Sequence, residues 1–106
     1  MKSLQIMGIG MYYTYVLQSE ADKKFYVGYT RDLQRRFEEH QKGEVKSTKA
    51  RRPLRLIYYE ACMDNHDAIR REKYLKSYYG KMFLKQRLKS KFQDYLDVTR
   101  ALSTGE

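Results

Sequence analysis

Five side chains spread along this sequence could cooperate on one chemical task. Tyr15 and Tyr26 supply phenols, Arg36 a guanidinium, His40 an imidazole and Glu72 a carboxylate. Those are the groups needed to cut a phosphodiester with the help of one metal ion. Each also has a plainer reading. An exposed arginine on a basic helix is usually a solvated charge, a single histidine is usually structural, and strand tyrosines usually belong to a core or a sheet face. Weight comes from all five occurring together and in this order.

Glu72 interrupts a pattern. Ala68, Glu72, Leu75 and Tyr79 follow helical spacing, with Ile69 alongside, so a carboxylate stands inside an apolar stripe. Burying it unpaired costs several kcal/mol or shifts its pKa, so it needs a cation. A divalent metal is one solution. An ion pair with Lys76, one helical turn on, is the other, worth only about 0.3–0.5 kcal/mol; the spacing leaves both open. Arg36 and His40 are four residues apart and share a helix face.

The elements that must hold these groups follow from local pattern. Residues 12 to 18 are β-branched and aromatic, as are 24 to 29, and the polar stretch 19 to 23 between them predicts an antiparallel hairpin. A turn centred on Glu20-Ala21 would set Tyr15 opposite Tyr26 on one face. Thr30 is the expected N-cap of a helix from about Arg31 to Lys42, with Leu33 and Phe37 as its apolar stripe and Gly43 at its end. A basic loop over 43 to 53 leads into a third strand, Leu54 to Cys62. Asp64 or Asn65 would cap a second helix running to about Tyr79 and stopped by Gly80. A third helix would run from about Lys81 to Leu96, with Phe83, Leu84, Leu88, Phe92 and Tyr95 as its apolar side. The expected fold is α+β: a three-stranded antiparallel sheet flanked by helices, in the order β-β-α-β-α-α.

Composition bounds the partners. The 106 residues suit one modest core and carry 22 Lys and Arg against 13 Asp and Glu, a net charge of +9. Such an excess favours a polyanion, and 11 tyrosines can stack on bases as well as fill a core. Cys62 is the one cysteine, so no intrachain disulfide forms and a reducing cytoplasm is expected. With only His40 and His66 beside it, a structural zinc site is not expected. Met1 to Met11 is too short to span a membrane and poor as a secretion signal.

On these residues the chain resembles the GIY-YIG nuclease superfamily, and most of all its small stand-alone bacterial members. Tyr13-Thr14-Tyr15 corresponds to the first motif and Tyr26-Val27-Gly28 to the second, with Tyr13 standing where the first motif usually has glycine. Gly28 through Arg36, with His40 four residues on, is similar to the helix signature. Lys46-Ser47-Thr48-Lys49 before Arg51-Arg52-Pro53 is similar to the basic loop, and Arg70-Arg71-Glu72-Lys73 to the metal-binding helix. The resemblance covers roughly residues 12 to 96. It divides the chain into an N-terminal extension (1–11), a nuclease domain (12–97) and a C-terminal tail (98–106).

The resemblance implies a metal-dependent endonuclease acting on DNA, structure-selective or weakly sequence-selective, in a setting such as DNA repair or recombination. It implies that Tyr15 activates a water, Tyr26 helps hold the water or the phosphate, Arg36 braces the phosphate and His40 assists proton handling. Glu72 would bind one Mg2+ or Mn2+, with no small-molecule cofactor and no membrane involved. A free phenol titrates near pH 10, so acting as a base at pH 7 demands a shift of about 3 units, roughly 4 kcal/mol. Each close cation can lower an acidic pKa by about 1–3 units.

Lys46, Lys49, Arg51 and Arg52 are the expected nucleic-acid contacts, flanked by Lys42 and Arg55, with Glu44 the one acid from 42 to 55. Phosphate contacts of this kind give affinity and salt dependence but little sequence discrimination. A non-catalytic nucleic-acid-binding module of the same fold is the alternative reading. A protein-interaction domain with an acidic partner is the third.

Overall fold

The computed structural model describes residues 10–91. The expected helix end through Phe92 and Tyr95, the C-terminal tail and most of the N-terminal extension lie outside the described residues. The chain forms two compact units, Met1–Lys73 and Tyr74–Glu106.

In the first unit, β1 (Tyr12–Ser19), β2 (Phe25–Thr30) and β3 (Leu54–Cys62) form one antiparallel sheet in the order β2-β1-β3. The hairpin turn is tied by Ser19, whose Oγ accepts from the amides of Ala21 and Asp22 and donates to the Arg51 carbonyl. Lys23 takes the left-handed φ of 64° that closes it.

The register differs from the expected one by two residues. Tyr15 pairs with Gly28, and Tyr26 pairs with Leu17. Because side chains alternate with period two, this shift keeps both phenols on the same face while making them diagonal rather than opposite. On β3 the pairing passes from Tyr58 opposite Val16 to Leu56 opposite Leu17, a bulge that skips Ile57.

Helix α1 spans Leu33–Gln41. Its cap is Asp32, whose carboxylate accepts from the Arg35 amide, rather than Thr30. Thr30 instead takes the Asp32 amide on its hydroxyl. Gly43, at a left-handed φ of 80°, turns the chain out of the helix as expected. Leu33 and Phe37 close over Tyr15, Leu17 and Leu54, with Tyr26 and Leu56 at the margin. A short 3-10 turn, Lys49–Arg51, precedes β3.

The opposite face of the sheet bonds the start of α2 (Asn65–Lys76). Thr14 donates to the Ala68 carbonyl at 2.9 Å, Tyr29 donates to Asn65, and Arg71 grips Glu60 with two bonds of 2.8 and 2.9 Å. Asp64 caps this helix through the amides of His66 and Asp67. Cys62 ends β3 half-buried, with its thiol donating to the Asp64 carbonyl.

The second unit corrects the expected helix break. α2 ends at Lys76, and Ser77 caps α3 (Tyr78–Arg87) by accepting from the Gly80 amide. Gly80 therefore lies inside α3's first turn instead of stopping a helix. A Cβ there would overlap the Tyr74 carbonyl, which is why glycine fits. Leu75 and Leu84 are buried, whereas Tyr79 is 70% exposed, so the apolar stripe drawn through Glu72 does not continue to it.

Candidate active site

The Tyr15 hydroxyl is the centre of the site. Tyr15 is 1% exposed, and its ring lies over Gly28, its cross-strand partner. A Cβ at Gly28 would overlap the Tyr15 ring and hydroxyl. The phenol thus requires glycine at this position.

Three elements bring polar groups to this hydroxyl. His40, from the last turn of α1, places Nε2 2.8 Å from it, and the His40 ring is fully buried. Arg36, one turn earlier on α1, lies near enough to the same hydroxyl to act on it. Tyr26 completes the aromatic wall, its ring 5.1 Å from that of His40 and 6.4 Å from that of Tyr15. On α2, Glu72 is half-buried and near enough for its charge to act on Tyr15.

The electrostatics define the resting state. Burial pushes the Tyr15 phenol up to about 12, against the influence of Arg36, which lowers it; the neighbouring Tyr26 and Glu72 also raise it. Burial, followed by the charge of Arg36, brings His40 down to about 4. At neutral pH both groups are therefore uncharged. The Glu39 carboxylate holds Arg36 firmly protonated, and Arg36 in turn holds Glu39 below the usual carboxylate range.

Two residues of this site escaped the sequence reading. Glu39 pairs with Arg36 at 2.8 Å and with Arg35 at 3.4 Å. Its positions at i+3 and i+4 carried that signal. Thr48 is fully buried, and its Oγ1 lies 2.7 Å from Nδ1 of His40. No local spacing announces that bond, because it joins a helix to the following loop.

The basic loop divides into two kinds of residue. Lys46 and Lys49 are exposed. Arg51 pairs with Asp22 at 3.1 Å and donates to the Phe25 carbonyl, which ties the 3-10 turn to the hairpin. Arg52 donates to the carbonyls of Lys49 and Gln41. Both of these arginines make intramolecular bonds that brace the loop.

Among the described residues no group of three or more His, Cys, Asp or Glu side chains could hold a metal ion. A single carboxylate such as Glu72 does not make a dedicated cage. It does suit Mg2+, which is commonly held by one or two carboxylates with waters and substrate phosphates filling its other positions. No helix among the described residues is long and apolar enough to cross a membrane.

A family model described as the GIY-YIG catalytic domain matches residues 11–91. A UPF0213 protein of Pediococcus pentosaceus is 47% identical over 70 residues, covering 65% of this chain and 73% of its own. One from Limosilactobacillus reuteri is 44% identical over 68 residues, covering 61% and 70% respectively. The solution NMR structure of a UPF0213 protein from Bacillus halodurans is 34% identical, covering 72% of this chain and 83% of its own, with a TM-score of 0.47.

Proposed function

The chain belongs to the GIY-YIG family, and from that premise we propose that it is a metal-dependent endonuclease hydrolysing DNA phosphodiester bonds, selective for DNA structure more than for sequence. The observation that carries this reading is the convergence on one buried hydroxyl. Tyr15 has His40 as its hydrogen-bond partner, has Tyr26 beside it and feels the charges of Arg36 and Glu72.

In this reading Arg36 is the phosphate-binding group, because its planar fork matches two phosphate oxygens. Glu39 holds that fork in place before substrate arrives. Tyr15 is the base that takes a proton from the attacking water, and Tyr26 orients the water or the phosphate. The deeply buried phenol sets the main energetic demand. Bringing a group from about 12 to neutrality corresponds to roughly 7 kcal/mol, more than a free phenol would need. Neutralising the Glu72 charge removes one of the influences that keep the phenol protonated. One Mg2+ or Mn2+ held by Glu72 would supply positive charge for the leaving oxygen. Lys46 and Lys49, exposed on the loop, would meet the DNA backbone, and a cytoplasmic setting suits a chain with one half-buried, unpaired thiol.

A non-catalytic nucleic-acid-binding module is the second reading, favoured by the phenol's firm hold on its proton in the unliganded protein. One assay separates the two. Nicked, branched, supercoiled and single-stranded DNA are incubated with the protein and Mg2+ or Mn2+, alongside Glu72→Ala and Arg36→Ala. Metal-dependent cutting that both substitutions abolish supports the enzyme. Salt-sensitive binding without cutting on every substrate supports the module and rejects the enzyme.

A further inference from the structure

The second unit carries a surface that the chemistry at Tyr15 does not use. From Tyr74 to Lys91 the chain has six Lys or Arg, at 76, 81, 85, 87, 89 and 91, and no Asp or Glu. Among these charges stand two tyrosines left out of the core. Tyr78 and Tyr79 open α3 and are each 70% exposed, whereas Leu75, Gly80 and Leu84 are buried. Their rings meet edge to face, with centroids 5.4 Å apart and planes 77° apart. Met82, itself 49% exposed, lies one helical turn on from both. A single exposed aromatic is ordinary, but a contiguous apolar group rimmed by polar residues marks a contact surface.

The rim says what it contacts. Lys81 and Lys85 are three and seven residues from Tyr78, so ammonium groups edge the ring on its own helix face. Both lysines are exposed. Aromatic faces beside cations match an unpaired nucleic-acid strand, whose bases offer π-faces and whose backbone offers phosphates. In a duplex the base faces are already stacked on one another, so a double helix would engage the lysines and leave the rings unused. A lipid surface fits less well. An interfacial helix lays a broad apolar face into the bilayer, and on α3 Leu84 is already buried in the fold.

Building on the nuclease reading, which supplies DNA as the polymer, we propose that Tyr78 and Tyr79, edged by Lys81 and Lys85, form a stacking surface for an unpaired DNA strand. The two rings hold bases, the two lysines hold phosphates, and the structure that the protein selects is one with a single-stranded segment.

The test is fluorescence anisotropy of the full chain in a metal-chelating buffer. The probes are a labelled thymidine oligonucleotide and its duplex with the complementary adenine strand. Tyr78→Ala combined with Tyr79→Ala should weaken single-strand binding about tenfold or more and duplex binding by less than about threefold. Tyr78→Phe with Tyr79→Phe keeps both rings and should bind like the parent. Lys81→Ala with Lys85→Ala should reduce the single-strand salt slope by about 1.4, the value for two phosphates. Equal losses on strand and duplex, no loss on the strand, or an unchanged salt slope would each overturn the proposal. So would a loss from the tyrosine changes seen only with anionic lipid vesicles or polyglutamate. Should the double alanine variant fail to fold, ring-proton NMR of Tyr78 and Tyr79 in the parent decides: upfield shifts on adding the oligonucleotide support stacking, and unmoved resonances overturn it. Without metal nothing is cut, so the two readings fail separately. A protein that binds strands here but cleaves no DNA under any condition refutes the nuclease alone, and one that cleaves without this binding preference refutes the surface alone.

Discussion

Two clusters of tyrosine, glutamate and arginine lie on opposite sides of the same sheet, and they behave differently. On one side Tyr58 and Arg71 both donate to Glu60. Burial acts to raise that carboxyl, but these bonds outweigh it and hold it below its ordinary range. On the other side Arg36 stands between Glu39 and Tyr15, bonded to the carboxylate and with its charge beside the phenol. The residue types match, and so do the exposures, with Arg71 at 34% and Arg36 at 37%. The distinction lies in which group sits in the middle. A carboxylate flanked by two donors is satisfied and makes a clamp between sheet and helix. A guanidinium between a carboxylate and a phenol keeps a positive charge beside a titratable hydroxyl.

The sharpest way to break this comparison is to shorten each arginine. Arg36→Ala is expected to lower DNA cleavage about 10²- to 10³-fold, the scale of losing one preorganised donor to a developing charge. Arg71→Ala should leave cleavage unchanged within about threefold and cost about 1 kcal/mol of stability, since its pair with Glu60 is partly exposed. Equal losses of activity from both would erase the distinction. Side-by-side turnover and urea titration of the two proteins provide the measurement.

Gly28→Ala is next in size. The new methyl group would overlap Tyr15, so the ring must move off His40. Overpacking of this kind costs about 1–3 kcal/mol, and cleavage should fall further than the lost stability explains. A thermal melt with a cleavage assay well below the midpoint separates the two effects.

A smaller effect is confined to acid. Native His40 titrates near 4 against an ordinary 6.5, so between these values the unfolded chain binds a proton that the native chain refuses. Its contribution is fully present above about pH 6.5 and lost as pH falls through about 4. Urea midpoints measured across this window should drop with pH in the parent and more shallowly in His40→Gln. Parallel curves would sink the assignment of His40 as a neutral, buried group.

The loop supplies the mildest test. Lys49→Ala should weaken DNA binding alike on all sequences and reduce the salt slope by about one, the signature of one phosphate contact. Arg51→Ala should act mainly on stability, because its charge is spent on Asp22 and the Phe25 carbonyl. Fluorescence anisotropy at several salt concentrations reads both.

Much of this architecture was legible beforehand. β3 runs from Leu54 to Cys62, after the basic loop as expected, and Asp64 caps α2. The cap at Asp32 in place of Thr30 and the break at Ser77 in place of Gly80 were missed for one reason. Several neighbouring residues there offer a suitable oxygen or turn, and packing chooses among them. Glu39 was overlooked although its spacing from Arg35 and Arg36 was plain, because a carboxylate on a basic helix reads as a surface pair.

Chain order alone determined the element sequence, the sharing of one sheet face by the two catalytic-type tyrosines and the alignment of Arg36 with His40, since each follows from a period of two or of 3.6 residues. Tertiary structure decided that Tyr15 rests on Gly28 and that Thr48 meets His40 from across a loop. Those outcomes depend on register and burial. A two-residue slip leaves the hydrophobic pattern unchanged, and a fully enclosed hydroxyl looks like any other threonine until the chain closes around it.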